Sequence, residues 1–184
     1  MSELLSALIG AVLVNHLLLG LPAAADMPRH ARMQALGPAG ALLILFAAPL
    51  AWLLHRLLPA DLGYLSLMLL LPLLAGLSWL SLLLLARLRP SLVQPAGLWP
   101  LLLINGASLS AMLISQALES FDLALAVGLA AGLGFWLLLQ LFADLLERVG
   151  QCDVPMPFRG TPMLLICAGL LSLASLGLNG LGPI

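Results

Sequence analysis

Polar side chains lie inside two otherwise apolar runs, and these are the residues whose types could do chemistry there. Asn15 and His16 lie in VLVNHLLLG, and Asn105, Gly106 and Ser108 lie in LLINGASLS. An amide left unpaired in hydrocarbon costs on the order of several kcal/mol. Two interpretations follow. The asparagines either tie neighbouring helices together, or mark broken helices whose amides and freed backbone groups line a site at the membrane midplane.

His16 is ionisable within an apolar run, which makes it a functional candidate by default. It could relay protons or ligate a metal ion. A neutral, hydrogen-bonded histidine is the favoured alternative, because no second histidine lies in an obvious partner position.

Composition indicates that the solvent of this chain is lipid. Its 184 residues are 62% hydrophobic and only 8% charged, whereas soluble domains are about 25% charged. The mean hydropathy is +1.15. A net charge of −1 with no lysine argues against nucleic-acid binding. The two cysteines, Cys152 and Cys167, form neither a disulfide framework nor a metal motif of the CxxC kind.

Six apolar runs are long enough to cross a bilayer, which takes roughly 20 residues. They lie near residues 4–22, 38–58, 63–86, 97–117, 123–143 and 162–182. The sequence therefore predicts a single transmembrane domain over 1–184, with short connections. The first run has no basic leader, so we expect a retained span rather than a signal peptide. Pro49 and Pro72 are expected to kink the second and third spans.

The distribution of arginines predicts the topology. Six of the seven basic residues fall in the first, third and fifth connections, and only Arg56 falls on the other side. The positive-inside rule places the six in the cytoplasm and both termini outside. The six are Arg29, Arg32, Arg87, Arg89, Arg148 and Arg159.

Asn15 and Asn105 follow similar apolar triplets in the first and fourth candidate spans. A repeat of three spans necessarily inverts its second copy across the membrane, and inverted repeats with interrupted helices are a transporter device. We therefore predict an all-α integral membrane fold of six helices. It forms an inverted three-plus-three repeat, with halves of about 1–90 and 91–184, and its first and fourth helices are interrupted.

The longest polar segment, ADLLERVGQCDVPMPFRG, follows the fifth span. It is either a solvated connector or a stiff, charged docking surface for a cytoplasmic partner. The residues that would dock are Glu147, Arg148, Asp153, Pro155, Pro157, Phe158 and Arg159. On the opposite side, Glu119 and Asp122 could form a cation mouth, although a solvated loop is favoured.

Motifs of other chemistries do not occur. The sequence has no phosphate-binding glycine loop, no spacing that supports a Ser-His-Asp set, and no nicotinamide or flavin fingerprint. The chain alone is therefore not expected to be a complete enzyme.

The C-terminal stretch DVPMPFRGTPMLLICAGLLSLASLGLNGL (153–181) resembles the A subunit of the Rnf complex, called Rsx in some bacteria. That subunit is related to the E subunit of the sodium-pumping NADH:quinone oxidoreductase. The family carries a similar DVPxPFRG connector. VLVNH is similar to the family's VLVNN, and LFADLLERV is similar to its LFAAIRERL. The resemblance runs over nearly the whole chain and is weakest between Pro22 and Arg89.

The resemblance implies a six-span subunit of the bacterial inner membrane, paired with a homologous subunit of opposite orientation. The complex passes electrons between ferredoxin and NAD, or toward a quinone in the relative, and moves sodium ions or protons. Flavin and iron–sulfur centres are expected in its other subunits. In the family, one cysteine in each broken helix joins two from the partner subunit to hold a [2Fe–2S] cluster.

This sequence departs from that pattern at both cysteine positions. LGLPAAADM stands where the family has LGLCP, and LINGA stands where it has TTNCA, with Gly106 at the cysteine position. Thiolates hold such clusters, so we expect no cofactor bound by this chain alone. The cluster is absent, or is held differently, or the chain is a divergent paralogue; His16 could replace only one of two ligands.

Two functions of different classes follow. In the first, the chain supplies scaffold and ion pathway, near Asn15, His16, Asn105, Gly106 and Ser108, to an Rnf-like redox-driven pump. In the second, it is a stand-alone small transporter or channel with Asn15, Asn105, Ser108 and Ser110 as substrate site. A pure assembly factor is a third, weaker alternative.

Overall fold

Leucine and alanine dominate the apolar runs, and both are strong helix formers. In hydrocarbon a helix also satisfies its own backbone groups. A computed structural model describes residues 29–58, 65–88, 95–153 and 155–176. Its elements are α1 (Arg29–Leu57), α2 (Ser66–Leu88), α3 (Pro95–Leu103), α4 (Gly106–Gln116), α5 (Phe121–Gly150), a 3₁₀ turn (Met156–Phe158) and α6 (Thr161–Leu176). The described chain is all-helical and contains no strand.

Four stretches of the described chain are long and apolar enough to cross a membrane. They are Ala35–Leu57, Met68–Leu88, Leu98–Gln116 and Phe121–Gly150. These agree with the second to fifth predicted spans. A shorter apolar stretch, Pro162–Ala174, lies in the sixth. The first predicted span, 4–22, lies outside the described residues, so six spans and an inverted repeat remain a prediction.

The prolines within these spans do not end their helices. α1 runs through Pro38 and Pro49, and α2 runs through Pro72. The predicted second span, 38–58, agrees with the membrane-spanning stretch Ala35–Leu57, and the helix α1 itself begins earlier, at Arg29. Neighbouring helices let a membrane helix tolerate proline in its interior.

α1 packs most extensively against α5, and the two helices are antiparallel, since Gly37 lies by Trp136 and Leu45 lies by Gly128. Small residues let the backbones approach closely. A Cβ atom at Gly132 would lie 2.8 Å from the Ala41 carbonyl oxygen, and one at Gly128 would lie 3.1 Å from the Leu45 carbonyl oxygen. The antiparallel pairing therefore places the beginning of α1 and the end of α5 at one end of the bundle.

At the opposite end, the last turns of α1 fasten the α4–α5 connection. Trp52 Nε1 donates to the Leu118 carbonyl at 3.0 Å, and the Arg56 guanidinium donates to the Glu119 carbonyl at 3.0 Å. The Trp52 ring meets Phe121 edge-on at 5.7 Å, and Arg56 lies 5.3 Å from the Trp52 ring centroid. We call this set the Trp52 clasp. Arg56 is the basic residue predicted to lie on the opposite side from the other six arginines. Its guanidinium thus binds a backbone carbonyl in the connection between α4 and α5.

α3 and α4 are two halves of one membrane span, and they pack against different neighbours. α3 lies mainly against α2, whereas α4 lies mainly against α1 and also contacts α5. α6 packs against α5 and the 3₁₀ turn. The discontinuity in the fourth predicted span therefore coincides with a change of packing partner.

Candidate functional site at the helix break

The fourth predicted span is interrupted, as the sequence predicted, at Ile104 and Asn105. Asn105 is non-helical, with φ −69° and ψ 101°, and its side-chain oxygen accepts from the Ala107 N–H at 3.1 Å. Its own N–H donates to the Leu102 carbonyl at 3.2 Å, a tight closing turn of α3. Asparagine favours this cap position because its short side chain reaches a backbone donor two residues on. Asn105 thus ends one helix and starts the next.

Asn105 faces the interior of the bundle. It is 1% exposed. A Cβ atom at Gly40 of α1 would lie 3.5 Å from Asn105 Nδ2 and 2.5 Å from Phe135 Cε1 of α5. A side chain at position 40 would therefore crowd the Phe135 ring, whereas its distance from the Asn105 amide is an ordinary contact. We call Asn105, Gly40 and Phe135 the inner side of the break.

The adjacent residues face outward. Ile104 is 52% exposed, and Gly106 is exposed, with open space where a Cβ atom would be. A side chain at position 106 would therefore point away from the helices that surround Asn105. We call Ile104 and Gly106 the outer side of the break.

The break supplies polar groups within an apolar span. The last carbonyls of α3 and the first N–H groups of α4 fall outside a continuous helical ladder. The helix dipoles place partial negative charge at the end of α3 and partial positive charge at the start of α4. Ser108 Oγ donates to the Asn105 carbonyl at 2.7 Å, so Ser108 belongs to this cluster. Such a cluster could coordinate a cation through backbone oxygens.

Other buried serines in the described chain are satisfied by their own helices. Ser115 Oγ donates to the Met112 carbonyl at 2.8 Å. Ser78 and Ser81 of α2 donate to carbonyls three residues back, at 2.8 and 2.9 Å. These hydroxyls serve local backbone bonds.

The structure brings together three of the five predicted pathway residues. Asn105 and Ser108 share the inner cluster, and Gly106 lies beside them but faces outward. Asn15 and His16 lie outside the described residues. Their participation remains a prediction.

The donor set at the break does not fit a thiolate-held cluster. Gly106 carries no ligand atom, and Cys152 lies exposed after the end of α5. Cys167 is buried in α6, which packs on α5. Within the described ranges, no three His, Cys, Asp or Glu side chains are placed to hold a metal ion.

The polar connector after α5 is exposed along its described length. α5 ends at Gly150. Pro155, with ψ 141°, leads into the 3₁₀ turn. Met156 is 82% exposed and Phe158 51% exposed. All the predicted docking residues lie at this accessible surface. They are Glu147, Arg148, Asp153, Pro155, Pro157, Phe158 and Arg159. At the opposite end, Glu119 and Asp122 are exposed too, and the cation mouth remains a prediction.

Several residues around the break were not anticipated from the sequence. Gly40 and Phe135 form the inner side, and Trp52 fastens the far end of α4. One signal could have suggested the α1–α5 crossing, because Gly128 and Gly132 have the G-x-x-x-G spacing of close membrane helix pairs.

Comparison with known proteins agrees with the geometry. The family model described as Rnf-Nqr subunit, membrane protein, matches residues 2–182. A relative from Syntrophotalea carbinolica, named as the A subunit of an ion-translocating oxidoreductase complex, is 38% identical over 100% of both chains. Relatives of the same name from Erwinia tasmaniensis and Citrobacter koseri are 35% and 33% identical over 98% of both chains. This chain therefore belongs to the Rnf-Nqr family of membrane subunits.

Proposed function

We propose that this chain is the A-type membrane subunit of an Rnf-like, ion-translocating oxidoreductase complex. It supplies scaffold and part of the ion pathway, while other subunits carry out the electron transfer. The observation that supports the pathway is the break at Asn105, which sets an amide, a hydroxyl and the backbone groups of two helix ends inside an apolar span. The relatives' names support the membership in a complex.

The proposed architecture is six spans in an inverted three-plus-three repeat. In this proposal the first helix is also interrupted, near Asn15 and His16. The antiparallel α1–α5 pair supports an orientation, because Arg148 and Arg56 lie at opposite ends of it. We therefore assign the chain to the bacterial inner membrane with both termini periplasmic. Sodium ions or protons are the ions proposed to cross.

The proposed partner is a homologous membrane subunit of opposite orientation. The outer side of the break supports this, because Ile104 and Gly106 are exposed beside the inner cluster. The exposed connector would bind a further subunit in the cytoplasm. Phe158 would provide its apolar anchor, and Arg148 and Arg159 its charges.

We further propose that this chain contributes no redox centre of its own. Gly106 removes the thiolate from the described break, and neither Cys152 nor Cys167 lies in α3 or α4. Flavin and iron–sulfur centres would then reside in other subunits. A cluster that is lost from the complex when Cys152 and Cys167 are replaced by serine would contradict this.

Co-purification tests membership in the complex. The tagged chain is extracted in gentle detergent, its bound subunits are identified, and their iron is measured. Flavin- and iron-containing subunits are expected to come with it. A monomer or simple homodimer free of redox proteins would instead support the stand-alone transporter.

The Asn105→Leu variant distinguishes the third alternative, a pure assembly factor, from an ion pathway. An assembly factor would tolerate this change in the lipid-embedded span. An ion pathway would lose transport and keep the complex.

A further inference from the structure

The Phe135 ring lies directly beside the polar groups of the helix break. Phe135 is 1% exposed and belongs, with Phe142, to the largest fully buried side chains of the described chain. Its Cε1 atom and Asn105 Nδ2 lie 2.5 and 3.5 Å from the point where a Gly40 Cβ atom would be. The ring edge and the amide therefore border the same small space, which exists because position 40 is glycine.

Next to the ring, the α1–α5 crossing is closed by backbone atoms. A Cβ atom at Gly132 would lie 2.8 Å from the Ala41 carbonyl oxygen, and one at Gly128 would lie 3.1 Å from the Leu45 carbonyl oxygen. These contacts open only if two whole helices separate. The Phe135 ring differs, because an aromatic side chain on a helix has two allowed χ1 rotamers. A change of rotamer moves the ring without moving the backbone, and the glycine opposite has no side chain to hold it.

An apolar ring in this place opposes the entry of ions. Asn105 and Ser108 offer an amide and a hydroxyl group on the inner side of the break. An ion reaches such groups with part of its hydration shell, and apolar constrictions block ions by excluding water. The cost of bringing an ion against hydrocarbon is far above the roughly 1.4 kcal/mol that changes a rate tenfold. The ring is therefore placed to control the hydration of the polar cluster.

We propose that Phe135 is the gate of the ion route at the break. With its ring against Gly40, the gate keeps water away from the Asn105 cluster, and rotation of the ring away from Gly40 admits the ion. The change is a rotation about a side-chain bond, and no covalent bond is made or broken. The gate rests on the ion route proposed at Asn105. It adds to that route a residue whose removal opens it without electron transfer.

Passive ion leak tests the gate. The purified complex is reconstituted into proteoliposomes without an electron donor, a membrane potential is imposed, and sodium ions and protons are followed with separate fluorescent dyes. Phe135→Ala replaces the ring by a cavity that borders the Asn105 cluster, and cavities with polar partners take up water. The leak of at least one of the two ions is expected to rise about tenfold or more over the wild-type complex, a barrier decrease of about 1.4 kcal/mol.

Phe142→Ala is the matched control. Phe142 lies on the same helix and is also 1% exposed, and it follows Phe135 by about two helical turns. The same residue type is lost from the same core, but the ring at position 135 remains, so this complex should stay tight. Phe135→Met should restore most of the seal, because the flexible apolar side chain of methionine fills irregular gaps.

Three results would overturn the gate. The first is an intact Phe135→Ala complex that leaks no more than the wild type. The second is an equal leak in Phe142→Ala, which would show that loss of core packing is the cause. The third is an undiminished leak when Asn105→Leu is added to Phe135→Ala, since the ions would then pass elsewhere. If Phe135→Ala does not assemble, Phe135→Val removes the ring with a smaller loss of apolar volume, and the same three results apply.

The gate and the proposed pathway can fail separately. If the Asn105→Leu complex loses its uptake driven by electron transfer while Phe135→Ala stays tight, the pathway holds and the gate is wrong. If Asn105→Leu keeps that uptake at the wild-type rate, the pathway is wrong and the gate with it.

Discussion

The two sides of the helix break differ sharply although they are formed by consecutive residues. Asn105 is 1% exposed and is enclosed by α1 and α5, whereas Ile104 is 52% exposed. Gly106 also faces outward, into open space. One side is thus fixed by the packing of this chain. The other side is left for lipid or a second subunit.

This difference separates what the chain can do alone from what needs a partner. The inner side holds its polar groups in place through local hydrogen bonds and through the glycine at position 40. The outer side lacks any side chain that could bind a cofactor, because position 106 is glycine. The break therefore keeps the geometry of an interrupted helix and lacks the sulfur that the family resemblance leads one to expect.

The largest effect on stability is expected at the inner side. Gly40→Ala would put a methyl group 2.5 Å from Phe135 Cε1. Such overpacking costs about 1–3 kcal/mol, and should lower the midpoint of thermal unfolding in detergent. Gly76→Ala is the control, since a Cβ atom at Gly76 of α2 meets nothing within 4 Å. Equal midpoints for the two variants would show that the inner side is not tightly packed.

A smaller effect is expected at the Trp52 clasp, which holds the far end of α4. Trp52→Phe removes the 3.0 Å bond to the Leu118 carbonyl and weakens the contact with Arg56. We expect a loss of about 1–2 kcal/mol of stability, measured by chemical unfolding in mixed micelles. Trp79→Phe serves for comparison, because Trp79 is 52% exposed on α2. A greater loss in the Trp79 variant would contradict the role of the clasp.

The smallest effect on stability is expected at the outer side, where reactivity is the useful measurement. Gly106→Cys should change stability by less than about 0.5 kcal/mol. In a Cys152→Ser background of the isolated chain, a small membrane-permeant reagent should label its thiol faster than that of Ala107→Cys, because position 106 is open whereas Ala107 is enclosed by the helices. Ala107 is 1% exposed. Equal rates in the isolated chain would remove the distinction between the two sides.

The sequence predicted the membrane class, the four spans that the described residues contain and the break itself. These follow from properties that neighbours hardly alter: run length, hydropathy, and an asparagine placed before Gly106. The second span, predicted as 38–58, agrees with Ala35–Leu57, but run length and hydropathy did not indicate that its helix begins as early as Arg29.

The surroundings of Asn105 could not be predicted. Gly40 and Phe135 are distant in sequence from Asn105 and from each other, and only the register of the α1–α5 crossing brings them together. Likewise, nothing local marks Gly106 as outward and Asn105 as inward. That distinction depends on which helices α3 and α4 pack against.

The central claim is that the inner side of the break lies on the ion route. Ion uptake driven by electron transfer tests it most directly, in proteoliposomes that contain the purified complex with Asn105→Leu, measured separately for sodium ions and protons. Loss of the helix cap costs about 1 kcal/mol, so the complex should keep all its subunits. The account predicts that uptake falls about tenfold or more, a barrier increase of about 1.4 kcal/mol, while Gly106→Ala transports like the wild type. An intact Asn105→Leu complex that transports at the wild-type rate would contradict the claim.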